Sequence, residues 1–218
     1  MRVINATVSR AKPGRQNDAV GMAVEAGKLL TRHGAENCRL LLAGTAGEAT
    51  GTYVFISEFQ SGEAWGIFSD ELAKDHELEL LVERLSREDS PLVIESQGLA
   101  SEIPLDRQGA DGRGSIVEAY ISKPLPGRFE AALELAGDVF DFIEGHGGKN
   151  AQLFTQTVAG SFTDTLIASW EFDSMRALGA VGDAYMSEAG GLAILQRMTS
   201  ADCPITTLSS GIYSEVPI

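Results

Sequence analysis

The chain of 218 residues says the same thing twice: Pro13-Gly14-Arg15 returns as Pro126-Gly127-Arg128, 113 residues later, and that offset then holds without a gap to the C-terminus. His33-Gly34 falls on His146-Gly147, Asn37 on Asn150, Glu58-Phe59 on Glu171-Phe172, and Asp89-x-Pro91 on Asp202-x-Pro204. About 28 identities over roughly 103 aligned pairs mark a tandem duplication. The chain therefore divides into repeat 1 at residues 1–105, a polar, Gly-rich linker at 106–115 expected to be flexible, and repeat 2 at 116–218.

The copies can be read against each other. Ile4, Ala6 and Val8 alternate with Asn5, Thr7 and Ser9, as Val117, Ala119 and Ile121 alternate with Glu118, Tyr120 and Ser122, and period two predicts a strand. After Pro-Gly-Arg, residues Phe129, Ala132, Leu133, Ala136, Val139, Phe140 and Ile143 form one apolar helical stripe, matched in smaller residues by Ala19, Val20, Ala23, Ala26 and Leu30. Each helix should end at His-Gly, where glycine takes a left-handed cap and histidine meets the negative end of the dipole. Two strands then flank a Gly- and Thr-rich loop, at Arg39 to Gly44 with Thr52 to Phe59, and at Gln152 to Val158 with Thr165 to Phe172. A second helical region follows from about Ser61 to Leu85 and from Ser174 to Met198, with an internal break expected near Ser69-Asp70. Asp-x-Pro stops it before a last strand, Leu92 to Leu99 and Ile205 to Ile212.

Each repeat thus reads β-α-β-β-α-β, a ferredoxin-like unit of the α+β class, with four antiparallel strands and both helices on one face. The aliphatic set of the first strand is the expected helix-facing side. That sends Asn5, Glu118 and Tyr120 to the opposite face, in the company of Phe154 and Trp170, and predicts a partly polar cavity between two sheets packed face to face.

Composition excludes several partners. Thirty-one acidic against 17 basic residues give a net charge of −14, which repels phosphate backbones, so nucleic acid is not expected. No apolar run approaches the roughly 18 residues of a membrane span, and the first residues enter a strand pattern at once, so no membrane partner and a cytoplasmic location are expected. Cys38 and Cys203 align with Ala151 and Ser90, outside any duplicated disulfide framework, and no His/Cys/Asp spacing supports a structural metal.

The Pro-Gly-Arg entry to the first helix and the Glu58-Phe59-x-Ser61 and Glu171-Phe172-x-Ser174 entries to the second are similar to patterns of the dimeric α+β barrel superfamily. The chain resembles a tandem member of its antibiotic-biosynthesis-monooxygenase and NIPSNAP-like group, in which two ferredoxin-like units join as one barrel. The resemblance implies a single-chain barrel that binds a small aromatic or apolar molecule, as in cofactor-free monooxygenases. Asn5, Trp65 and His76 resemble the Asn, Trp and His of iron-regulated heme-degrading monooxygenases, where the histidine is the axial heme ligand. Copy two carries Glu118, Leu178 and Ala189 there, so at most one heme site per chain is implied.

Three readings follow. The first is small-molecule binding without a cofactor, with Asn5, Trp65 and Glu118 as candidate catalytic residues and Tyr120, Trp170 and Phe154 as candidate substrate contacts. The second is heme binding and degradation through His76. The third is a non-catalytic, homo-oligomerising scaffold. Arg15 and Arg128 open helices where a cation is unfavourable, so each is expected to hold a specific salt bridge or interface contact, with Glu58 and Glu171 as candidate partners.

Overall fold

The computed structural model describes residues 1–218. Repeat 1 runs β1 (Val3–Ala11), α1 (Gln16–Arg32), β2 (Asn37–Thr45), β3 (Thr52–Phe59), α2 (Gly62–Leu72), α3 (His76–Ser86) and β4 (Leu92–Glu102). Repeat 2 runs β5 (Ile116–Pro124), α4 (Phe129–Gly145), β6 (Lys149–Val158), β7 (Leu166–Phe172), α5 (Met175–Ser187), α6 (Ala189–Thr199) and β8 (Ile205–Val216). The expected β-α-β-β-α-β order holds in both halves. None of the helices is long and apolar enough to cross a membrane.

The paired motifs now have physical causes. Pro13-Gly14 and Pro126-Gly127 make turns in which Arg15 N–H bonds Lys12 O at 3.0 Å and Arg128 N–H bonds Leu125 O at 2.9 Å. Gly14 (φ 76°) and Gly127 (φ 72°) supply the left-handed second position that such Pro-Gly turns require. The arginine side chains do not reach Glu58 and Glu171 as expected. Arg15 binds Asp18 and the Asp89 carbonyl, and Arg128 binds the Asp202 carbonyl at 2.9 Å, tying the turn to the loop before the last strand. In Glu-Phe-x-Ser, Phe59 and Phe172 are fully buried, while Ser61 and Ser174 cap α2 and α5 by accepting from Ala64 N and Ala177 N.

The break in the second helical region lies at residues 73–75, not at Ser69-Asp70. Asp75 caps α3 by accepting from Glu77 N at 2.7 Å and also binds His33 Nε2 at 2.6 Å. Glu188, at the equivalent break, contacts His146 Nε2 at 3.0 Å. The two histidines do end α1 and α4, and each joins its helix end to the following helix pair.

The eight strands form one closed barrel in the order β1-β3-β2-β8-β5-β7-β6-β4. Two seams join the halves, β4 with β6 and β8 with β2, all antiparallel. Gly98 and its counterpart Gly211 lie where these strands crowd their neighbours: a Cβ would come within 3.0 Å of Val158 O and 2.9 Å of Ala46 Cβ, respectively. A buried Arg39 reaches from β2 across one seam to Glu171 (2.5 Å) and Glu215 (2.8 Å). The linker makes specific contacts with both halves. Arg107 pairs with Asp141 and Glu144, Arg113 with Glu58, and Gly114 N–H bonds Glu171 at 2.7 Å.

Barrel closure reverses the expected facing of the first strands. Ile4 packs with Ala100 and Phe154, bordered by Ile56 and Ile167, in a dry core that joins the two halves. Alternation then turns Asn5, Thr7, Glu118 and Tyr120 outward, beneath the helices. The reason is that the barrel interior has no helix to share its burial and must be filled by the strands' own aliphatic side chains, whereas the helix layer stands off and leaves room.

Candidate functional site

Each half therefore holds its cavity between sheet and helices rather than between two sheets. The C-terminal cavity, about 340 Å³, has a floor from β5, β7 and β8 and a roof from α4, α5 and α6. That volume sits at the lower end of small-molecule sites, which span about 300–1,000 Å³.

Glu118 and Trp170 are direct partners in the β5–β7 register, so both project from one face, and Tyr120 follows two residues along. Glu118 Oε2 accepts from Trp170 Nε1 at 2.8 Å, and Oε1 accepts from the Tyr120 hydroxyl at 3.3 Å. The Trp170 ring is itself fixed, stacked on Tyr120 at 5.4 Å and met edge-on by Phe140 at 6.0 Å. No Lys, Arg or His lines this cavity, so the carboxylate has hydrogen bonds but no countercharge.

Burial consequently pushes the Glu118 carboxyl above its ordinary range, and the Trp170 and Tyr120 donors oppose that shift only in part. Burial, with the adjacent Glu118 charge, pushes the Tyr120 phenol up to about 12, so it stays a donor at neutral pH. Across the cavity Tyr185 bonds Met198 Sδ at 3.4 Å, and burial raises its phenol too. Sequence reasoning missed Tyr185, although it replaces Leu72 of the first copy and so belongs to the mismatched pairs.

The N-terminal cavity, about 270 Å³, occupies the equivalent place and contains no carboxylate, amine or imidazole. Asn5 stands where Glu118 does, and its Oδ1 accepts from Gln97 Nε2 at 3.3 Å.

The remaining candidates lie outside both cavities. His76 is the first residue of α3, its side chain 77% exposed and turned to Glu79 at 3.0 Å. Trp65 packs into the α2 side of the repeat 1 core with a buried Nε1 that has no partner, away from the cavity lining. Phe154 belongs to the barrel interior, under Arg2 at 5.7 Å. Asn5, Trp65 and His76 thus do not converge, because the Asp75 cap starts a new helix just where the histidine would have to turn inward. With no imidazole or thiol on either lining, the residues present do not fit a heme held through histidine or cysteine.

No protein-family model matches the sequence, and no curated protein matches it. The fold is shared with solved structures. A provisionally assigned monooxygenase from Fusobacterium nucleatum superposes with a TM-score of 0.65 at 8% identity, covering 99% of this chain and 93% of that one. An anthrone oxidase-like protein gives 0.61 at 14% identity over 99% and 91%. A mutant chlorite dismutase from Candidatus Nitrospira defluvii, in complex with cyanide, gives 0.58 at 10% identity over 99% and 91%. At such identities the likeness concerns architecture: this chain has the dimeric α+β barrel fold, built from two ferredoxin-like halves of a single polypeptide.

Proposed function

We propose that the C-terminal cavity binds a small aromatic molecule with an acidic C–H or O–H, and that Glu118 removes that proton so that the resulting anion reacts with O₂ without a cofactor. The observation that carries this reading is the uncompensated Glu118 carboxylate, held by Trp170 and Tyr120 inside an apolar aromatic cavity. A carboxylate whose affinity for protons is raised by burial is a better base at neutral pH. Trp170, Tyr120 and Phe140 supply ring faces for the substrate.

For a methylene flanked by aryl rings and activated through them by a conjugated carbonyl, as in anthrone, the balance is CH₂ + O₂ → C=O + H₂O. Glu118 takes one hydrogen as a proton, the carbanion bonds to O₂ to give a peroxide anion, Glu118 returns its proton to that peroxide, and the hydroperoxide loses water together with the second carbon-bound hydrogen to leave the ketone. No external reductant is needed. The likeness to the anthrone oxidase-like and monooxygenase folds, and to the antibiotic-biosynthesis-monooxygenase type, supports this reaction class over scaffolding alone.

Oxygen consumption with anthrone as the probe tests it. Uptake above the buffer rate by the purified chain, falling at least 100-fold in Glu118→Gln, is expected. A wild-type rate equal to buffer, or an unchanged variant, overturns the reading.

A further inference from the structure

The duplication has kept a cavity in the N-terminal half while changing what surrounds it. Tyr53, Phe55 and Ser57 along β3 correspond to Leu166, Ala168 and Trp170 along β7. The bulk has thus moved from one end of the strand to the other, yet the cavities remain similar at about 270 and 340 Å³. An interior that served only packing could close such a space with larger side chains at Ala23 or Ala26.

The polar groups that remain are specific in kind. Asn5 and Gln97 share one hydrogen bond, which leaves the Asn5 Nδ2 and the Gln97 Oε1 without a partner in the protein. Both amides belong to the lining, with Gln97 exposed at its rim. The amide pair and the hydroxyls of Thr7, Ser9 and Ser57 are all uncharged, in a lining that is aliphatic and aromatic elsewhere, and such a cavity selects against ions, because a charged ligand would lose its hydration without meeting a countercharge. It also lacks any group able to take a proton at neutral pH.

We infer that the N-terminal cavity is a second binding site, for an uncharged apolar molecule carrying a single carbonyl or hydroxyl group, which it holds through Asn5 and Gln97 and does not transform. This site is independent of Glu118 and of the reaction proposed for the other half.

The polarity-sensitive dye prodan, a naphthyl ketone with no group that ionises near neutral pH, is a suitable probe. Ala136 and Ala23 occupy equivalent places in α4 and α1, so Ala136→Phe fills the C-terminal cavity and Ala23→Phe the N-terminal one. Full-length Ala136→Phe is expected to bind one equivalent with a blue-shifted emission, and adding Ala23→Phe should abolish it. Because Ala23→Phe could also impair folding, Asn5→Leu in the Ala136→Phe background provides a near-isosteric check, with affinity expected to fall about fivefold. No binding by Ala136→Phe, or binding that survives Ala23→Phe, overturns the inference. Unchanged affinity in Asn5→Leu overturns the role given to the amide. Since the C-terminal cavity is blocked throughout, none of these results depends on whether Glu118 is a base.

Discussion

The two cavities occupy the same place in two copies of one unit, and they differ where chemistry would be done. In the C-terminal half an acid faces Trp170 and Tyr120; in the N-terminal half the same three positions are Asn5, Ser57 and Thr7. The fold supplies space twice, but a carboxylate only once. Glu118 arrives together with the donors that make its burial tolerable. The substitution at one strand position is therefore coupled to those facing it.

The seams differ in a parallel way. Arg39 crosses one seam to reach Glu171 and Glu215, whereas its counterpart in the other half is the neutral Gln152. There the equivalent acids Glu58 and Glu102 are met by Arg2, with Arg113 of the linker adding a second contact to Glu58. The two copies neutralise the same acids with arginines from different parts of the chain.

The comparison can be broken at the seam first. Arg39→Ala leaves Glu171 buried without its cation and is expected to cost about 3–5 kcal/mol, while Gln152→Ala should cost less than about 1 kcal/mol. Urea denaturation of both variants checks this, and equal losses would erase the distinction between the seams.

Moving the acid comes next. Asn5→Glu places a carboxylate in the N-terminal cavity with Ser57 where Trp170 would stand, so a loss of about 1–3 kcal/mol at pH 7 is expected. The loss should shrink as pH falls and the new carboxyl is protonated. Adding Ser57→Trp is expected to recover part of it.

A smaller effect of opposite sign belongs to Glu118→Gln. Because the native carboxyl titrates above the ordinary 4.5, its stabilising contribution is fully present below pH 4.5 and is lost as pH rises through the folded value. The Gln variant should therefore melt higher than wild type at pH 8, by a few degrees, with the gain disappearing below about pH 4.5. Thermal unfolding across pH 4–8 reads the crossover.

The smallest effect is at the helix breaks. The Phe142 carbonyl and then Glu188 raise the His146 pKa above 6.5, so Glu188→Gln should lower it without restoring the ordinary value. The histidine ring signals in a proton NMR titration check this.

Much of this was legible in the sequence. The offset of 113 residues, period-two strands and Asp-x-Pro stops fixed the order of elements, because each rests on local geometry. The alternation along β1 and β5 also placed Glu118 and Tyr120 on one face. Which side that face would meet was not legible. The rule that aliphatic residues face helices fails here because barrel closure creates a second buried side, filled by Ile4 and Phe154. His76 was misplaced for a different reason. It was a candidate through resemblance alone, and Asp75 restarts the helix with His76 at its exposed end. The mismatched pairs were the better guide: Glu118 against Asn5 marks the principal difference between the cavities.

The seams have one more consequence. In a barrel assembled from two identical chains, every substitution enters twice, and an acid introduced for one cavity also appears in the other. Here β4 and β8 of a single polypeptide close the barrel, so the partner unit is always present and always the other copy. Tethering in this way removes the dependence of assembly on concentration. It also releases the units from having to be the same, which allows one cavity to carry a costly buried charge while the other remains neutral.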